Sequence, residues 1–129
     1  MAIRIVQLGT PRHRGEGLRI GSVRRPPRGV PKTQYASRNF YDLWLPQLAP
    51  SSEAIDQLRK SKSLDAGWRR FERRYAAELN RPDNARLLAL LAALSHDANF
   101  SLGCYCEDED RCHRSLLREI LRKHGAELT

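Results

Sequence analysis

The chain has 129 residues, a formal net charge of +8 and a hydrophobic content of 40%. A chain of this length builds one modest core, and no apolar run is long enough to span a bilayer. We therefore expect residues 1–129 to form a single domain without a membrane span, and the lack of a signal-peptide pattern favours the cytoplasm.

The positive charge is concentrated near the N-terminus. Residues 1–38 contain nine basic side chains and one acidic side chain, whereas the rest of the chain is electrically balanced. Such a segment suits an anionic small molecule, nucleic acid or an acidic partner. A solvated arm, or a cluster that pairs with the acidic residues 107–110, are alternatives. Tyr35 is its only aromatic residue, which argues against a stacking platform for single-stranded nucleic acid.

Two short strands are predicted in this basic N-terminal part. Residues 3–8 and 18–23 alternate in the manner of β-strands. The proline-rich run 26–31 cannot form regular structure and predicts a loop. Residues 41–48 are expected to form a short helix that ends before Pro50.

Helical periodicity dominates the centre of the chain. Ser51 or Ser52 is expected to cap a first helix. A longer helix near residues 64–79 carries an apolar stripe that we expect to face the core. Its members are Leu64, Trp68, Phe71, Tyr75 and Leu79. A third helix, near residues 84–95, is expected to turn four leucines inward. These are Leu87, Leu90, Leu91 and Leu94.

A last strand and a last helix complete the pattern. Residues 100–105 are typical of a strand, and residues 112–124 have the period of a helix that ends at Gly125. Strands separated by helices predict an α/β fold, with helices packed on a small, three-to-four-stranded parallel or mixed sheet. A strand that leads into a helix N-terminus is a common position for a ligand site in such folds.

The loop between this strand and this helix holds all three cysteines within nine residues. They are Cys104, Cys106 and Cys112, and His113 and Arg114 follow directly. We expect Cys112 and His113 in the first helical turn, where the helix dipole and flanking arginines favour a thiolate and the acidic residues 107–110 oppose it. Cys112 is then a nucleophile or redox thiol, and His113 a general acid or base. Core filling is the alternative, above all for Cys104.

Metal binding and a disulfide are two further chemistries of this cluster. Cys104 and Cys106 can present their thiols on one face of a strand, but neighbours on a helix such as Cys112 and His113 diverge by about 100°. We therefore assign no metal ligands, and metal binding stays an alternative. A disulfide from Cys112 to either other cysteine is sterically feasible and would be transient in a reducing compartment.

Four ordered motifs resemble those of a known family. They are Gly17-Leu18-Arg19-Ile20 with Pro27-Arg28-Gly29-Val30; Trp44 with Leu48-Ala49-Pro50-Ser51; the helix of Trp68, Phe71, Tyr75, Glu78 and Leu79; and Cys104 with Cys112-His113-Arg114. The chain resembles the bacterial YeaO-like family, domain of unknown function 488. The resemblance implies a fold and a site location but no reaction, because the family has no assigned activity. Some members keep only the histidine, which favours His113 as the shared residue.

Two classes of function follow from these observations. The first is a small enzyme or binding domain for an anionic, nucleotide-like or phosphate-like ligand, with Cys112 and His113 as catalytic residues. Its ligand contacts would be Arg24, Arg28, Arg114 and Cys104. The second is a non-enzymatic nucleic-acid-associated or metal-binding protein that uses the basic segment or the cysteine cluster. The sequence names neither a cofactor nor an oligomeric state.

Overall fold

The structure, a computed structural model, describes residues 1–106 and 112–129. Four strands form one parallel sheet, namely β1 (Ile3–Gln7), β2 (Leu18–Gly21), β3 (Leu43–Trp44) and β4 (Phe100–Cys104). Their order across the sheet is β1-β4-β2-β3, so the last strand lies between the first two. The predicted α/β class is confirmed, and the three predicted strands share one sheet.

Four α-helices pack with this sheet. They are α1 (Ser52–Lys60), α2 (Leu64–Leu79), α3 (Pro82–Leu94) and α4 (His113–Lys123). Ser51 caps α1, because its side chain accepts a hydrogen bond from the backbone N–H of Ala54 at 3.1 Å. Within the described ranges, none of the helices combines the length and apolar character that a membrane span requires.

Helix α2 carries most of its predicted stripe into the core. Phe71, Tyr75 and Leu79 are buried and Trp68 is half-buried, but Leu64 is 72% exposed. The assignment of Leu64 to the core is therefore wrong. It is the first residue of the helix, one turn before the stripe reaches its packing partners.

Helix α3 faces the core with a different set of residues from the one predicted. Leu88 and Leu91 are buried, whereas Leu90 and Leu94 are 54% and 43% exposed. The inward placement of Leu90 and Leu94 is wrong. Leucines and alanines surround most of this helix, so its sequence allows more than one apolar face and packing selects among them.

The segment 41–48 forms a sheet edge instead of the predicted helix. It contains β3 and a single 3-10 turn at Pro46–Leu48. Pairing with β2 provides hydrogen-bond partners for the backbone of β3. The indole Nε1 of Trp44 also donates a hydrogen bond to the carbonyl of Val23 at 2.7 Å. A partner strand distant in sequence thus overrides the local helical preference.

Helices cover one face of the sheet and loops cover the other. Ile3, Ile20 and Leu102 point into the main core beneath the helices. On the loop-covered face, the ring of Tyr41 packs so closely on Gly21 that an added Cβ would lie 2.4 Å from it. The carboxyl ends of β2 and β4 lie side by side at one end of the sheet, where the chain leaves β4 towards α4.

Part of the basic N-terminal segment is built into the fold. Arg19 is wholly buried and pairs with the carboxylate of Glu16 at 2.8 Å. Arg12 pairs with Asp42 at 2.8 Å. These two arginines brace the loops rather than extend into solvent. The alternative pairing of the segment with the acidic residues 107–110 falls outside the described residues.

Candidate functional site

The candidate site is a cleft of about 460 Å³ at the carboxyl ends of β2 and β4. Cys104 ends β4, residues 22–25 follow β2, and Cys112 and His113 begin α4. Side chains of α1 and α2 form the opposite wall. This is the sheet edge at which parallel α/β folds commonly bind ligands.

The side chains of Cys112 and His113 lie close together, although side chains of adjacent helical residues normally diverge. Cys112 is the N-cap of α4 with an extended backbone, φ −123° and ψ 153°, and His113 is the first helical residue. The distance from Cys112 Sγ to His113 Nδ1 is 3.7 Å. The divergence expected for two helical neighbours does not occur, because only one of the two has helical backbone angles.

A hydrogen bond to the backbone orients the imidazole of His113. Its Nε2 lies 2.8 Å from the carbonyl oxygen of Ser22, which can only accept, so Nε2 carries a hydrogen. In the neutral ring, Nδ1 therefore directs its lone pair towards Cys112 Sγ. The ring of Tyr75 packs edge-on against the imidazole, with 5.6 Å between the centroids. The imidazole is placed to accept the thiol proton.

The three thiols converge at the floor of the cleft. Cys104 Sγ lies 2.7 Å from Cys112 Sγ, and all three sulfurs lie within 4.8 Å of one another. Cys104 and Cys112 are 1% and 2% exposed, whereas Cys106 is an exposed residue. The cluster thus combines two buried thiols with one that faces solvent.

Hydrogen bonding between the thiols distinguishes their acidities. The bonds to Cys106 and Cys112, together with burial, raise the pKa of Cys104 well above its usual range. Accepting from Cys104 lowers the pKa of Cys106 and of Cys112. His113 lowers the pKa of Cys112 further, while the hydrogen bond to Cys106 and burial oppose this. Negative charge is therefore favoured most on Cys106, whose pKa falls to about 3, and next on Cys112, and a proton is favoured on Cys104.

Of the four predicted ligand contacts, two line the cleft and two do not. Arg24 and Cys104 line the cleft. Arg28 is exposed and, among the described residues, is not one of those that line it. Arg114 is buried and donates from Nη2 to the carbonyl of Cys106 at 2.6 Å. It therefore holds the backbone at the start of the loop.

Arg24 is oriented by the chain that precedes α1. Its Nε donates to the carbonyl of Pro50 at 3.1 Å, and its Nη2 donates to the carbonyl of Ala49 at 3.0 Å. Neither bond uses Nη1. These two bonds fix the orientation of the guanidinium at the edge of the cleft.

Three cleft residues were missed as site residues by the sequence analysis. Arg25 follows Arg24 in the same loop, and that adjacency was the available signal. Arg59 belongs to α1, and an exposed arginine on an amphipathic helix gives no signal of a site. Trp68 was assigned to the core only, yet it stacks on Phe71 with 5.2 Å between centroids and also lines the cleft.

A sequence model for one protein family matches residues 3–125; the family is described as the active DUF488-N3 subclade, DUF488-N3a. The match includes the loop after β2 and the head of α4. The resemblance to domain of unknown function 488 is thus confirmed. No curated protein and no solved structure matches the chain.

Proposed function

The chain belongs to the active DUF488-N3 subclade, and from this premise we propose that it is a small enzyme acting on an anionic ligand. The observation that carries the proposal is the Cys112–His113 pair, with 3.7 Å from Sγ to Nδ1, at the floor of the cleft. His113 accepts the thiol proton, and the Cys112 thiolate attacks an electrophilic atom of the ligand. The bond from that atom to its leaving group breaks, and the departing group takes the proton from His113. The carbonyl of Ser22 keeps the imidazole in the required tautomer.

The composition of the cleft supports an anionic and partly planar ligand. Arg24, Arg25 and Arg59 line it, alongside the carboxylate of Asp56. Guanidinium groups bind phosphate and carboxylate through paired hydrogen bonds. Trp68 presents an aromatic face on which a planar group such as a nucleobase can stack. A nucleotide-like or phosphate-bearing small molecule fits both features.

Alkylation tests the reactive pair. In a Cys106→Ser background, which removes the exposed thiol, we expect iodoacetamide to modify Cys112 faster than Cys104 at neutral pH. Adding His113→Ala should slow the alkylation of Cys112 by about tenfold. Peptide mass spectrometry across pH measures both rates, and circular dichroism confirms folding. Faster alkylation of Cys104, or a rate indifferent to His113, contradicts the proposal.

Calorimetry tests the anion contacts, with nucleoside monophosphates and inorganic phosphate as probes. Arg25→Ala and Arg24→Lys should weaken binding by about tenfold, since each disturbs a charge-assisted contact. Arg28→Ala is the matched control from the same loop and should leave affinity unchanged. Weaker binding in the Arg28→Ala variant would contradict this arrangement and support the contact with Arg28 that the sequence predicts.

Metal binding is the second candidate, and the convergence of the three thiols supports it. Three converging thiolates would provide three zinc ligands. The Nδ1 of His113, 3.7 Å from Cys112 Sγ, is a candidate for the fourth. A metal-bound histidine commonly donates its other ring N–H to a carbonyl, as His113 does to Ser22. Elemental analysis of protein purified without chelators should then find about one zinc per chain, lost in Cys106→Ser. If the purified protein contains no zinc, the result supports the thiol enzyme instead.

A further inference from the structure

We propose that Cys104 is the resolving thiol for Cys112 and that Cys106 connects this buried pair to the surface. The three cysteines then form a thiol–disulfide couple that consumes small hydroperoxides. The inference rests on the proposed function, because it takes Cys112 as the reactive thiol. The observation behind it is a cluster with 2.7 Å between Cys104 Sγ and Cys112 Sγ and all three sulfurs within 4.8 Å.

The buried pair needs little movement to form a bond. A disulfide has an S–S length of about 2 Å, so the two sulfurs must approach by less than about 1 Å. Cys104 is held at the end of the central strand β4, where its carbonyl accepts from the backbone N–H of Leu8 at 2.7 Å. Cys112 is held by the start of α4. The approach that the two sulfurs still need is therefore small.

The chemistry balances with a hydroperoxide as oxidant. The Cys112 thiolate attacks one peroxide oxygen, the O–O bond breaks, and the departing alkoxide or hydroxide takes a proton, which leaves a sulfenic acid. The Cys104 thiol then attacks the sulfenic sulfur, the S–O bond breaks, and water leaves as the disulfide forms. Two thiols lose two electrons and two protons, and the peroxide becomes one alcohol and one water. A hydroperoxide is small enough to reach the sulfur of Cys112, which lines the cleft although the residue is 2% exposed.

Cys106 provides the route by which the buried disulfide is reduced. Burial slows the attack of a bulky external thiol on these two sulfurs, which are 1% and 2% exposed. The thiolate of Cys106 can attack the Cys104–Cys112 bond, which transfers the disulfide to Cys106 and releases one buried thiol. An external thiol then attacks the sulfur of Cys106, which releases the second buried thiol and leaves a mixed disulfide at Cys106. A second external thiol attacks this mixed disulfide, frees Cys106 and departs as the oxidised external disulfide. Arg114 holds the carbonyl of Cys106 at 2.6 Å and so keeps the third thiol beside the pair.

Peroxide titration of the full chain, followed by non-reducing peptide mass spectrometry, tests the assignment. About one equivalent of hydrogen peroxide should produce the Cys104–Cys112 disulfide. The double variant Cys104→Ser/Cys106→Ser should instead accumulate sulfinic acid at Cys112, because both neighbouring thiols that could react with the sulfenic acid are removed. Cys106→Ser should still form the disulfide, but glutathione should reduce it about tenfold more slowly. Near-ultraviolet circular dichroism of each variant controls for folding.

Three results would overturn the inference. They are sulfinic acid without disulfide in the unmodified chain, an unchanged reduction rate in Cys106→Ser, and bound zinc that protects all three thiols from peroxide. The first two leave the proposed function standing if Cys112 is still alkylated first and still depends on His113. A Cys112 inert to both peroxide and iodoacetamide removes both proposals.

Discussion

Arg19 organises the loop-covered face of the sheet through a buried polar network. Its guanidinium donates to Glu16 from Nε at 2.8 Å and to the carbonyls of Thr10 and Asn39 at 2.8 Å each. Ser101 on β4 donates to the same carboxylate at 2.7 Å. Removing one charged partner would leave the other buried without compensation, which is strongly destabilising.

The acidity of Glu16 gives this network a pH dependence. Burial alone would raise its pKa, but hydrogen bonds from Arg19, Ser101 and the backbone N–H of His13 lower it from the ordinary 4.5 to about 2. A lowered folded-state pKa means that the stabilisation is complete above about pH 4.5 and is lost as the pH falls towards 2.

We therefore expect Glu16→Gln to lower the free energy of unfolding at pH 7 by on the order of 3 kcal/mol. The difference from the unmodified chain should shrink between pH 4.5 and pH 2, as the native carboxylate gains a proton. Urea unfolding at a series of pH values measures this. Asp83→Asn is the control, because that carboxylate is fully exposed. A difference that is independent of pH would contradict the assignment of charge to Glu16.

At the scale of the elements, Ser51 couples α1 to α2. Its hydroxyl oxygen accepts from the N–H of Ala54 and donates to the carboxylate of Glu78 at 2.5 Å. The backbone N–H of Ser51 donates to the other oxygen of that carboxylate at 2.9 Å. The N-cap of one helix is thus also the partner of a buried acid on the next.

Ser51→Ala should lower the free energy of unfolding by about 2 kcal/mol, because it removes a cap and leaves a buried acceptor less satisfied. Ser63→Ala removes the cap of α2, whose 3.3 Å bond is exposed, and should cost about 0.5 kcal/mol. Urea melts of the two variants give the comparison. Equal losses would show that Ser51 acts as a cap only.

The aromatic residues of α2 divide between core and cleft. Phe71 is 6% exposed, so Phe71→Ala should cost about 3–5 kcal/mol in unfolding free energy. Trp68 is half-buried and lines the cleft, so Trp68→Ala should cost less, about 1–2 kcal/mol, and should also weaken nucleotide binding. Urea melts and calorimetry separate the two effects. If the Trp68→Ala variant binds nucleotide with full affinity, Trp68 contributes only to packing.

At the scale of the whole molecule, the C-terminal residues close the outer edge of the sheet. The backbone N–H of Ile3 donates to the carbonyl of Glu127 at 2.8 Å, and that of Thr129 donates to the carbonyl of Ile3 at 2.9 Å. The N–H of Glu127 also donates to Ser95 Oγ at 2.9 Å. These bonds join the end of the chain to β1 and to the end of α3.

Deleting residues 127–129 should lower the free energy of unfolding by about 2 kcal/mol, because it opens the edge of β1 and removes these backbone bonds. Leu128→Ala keeps the backbone pairing and should cost about 1 kcal/mol. Thermal melts followed by circular dichroism test both. A deletion without effect would mean that the segment merely rests beside β1.

The local sequence pattern was sufficient to predict those elements whose own residues show a clear periodicity or a capping residue. Helix α2 spans Leu64–Leu79, as its stripe predicts, and Ser51 caps α1. The sequence also predicts a strand at residues 100–105, and the structure places it at Phe100–Cys104. These features depend on side-chain period and on capping within a few residues, which are properties of the local chain.

Contacts between residues distant in sequence determined the features that the local pattern did not predict. β3 exists because β2 offers a free edge, and the buried face of α3 depends on packing among several leucines. The cleft joins Arg24, Arg59 and Cys112 through three separate elements, a combination that no spacing reveals.

The sequence by itself determined the α/β class, the main helices and the presence of a cysteine–histidine cluster. Only the tertiary structure decided that Cys112 is an extended N-cap, that its thiol therefore meets His113, and that Arg25 rather than Arg28 joins Arg24 at the cleft. The physical reason is the separation along the sequence between the residues that interact. Periodicity and capping act over one or two helical turns, whereas the direction of a side chain at a strand end or an N-cap is set by whichever distant backbone packs beside it.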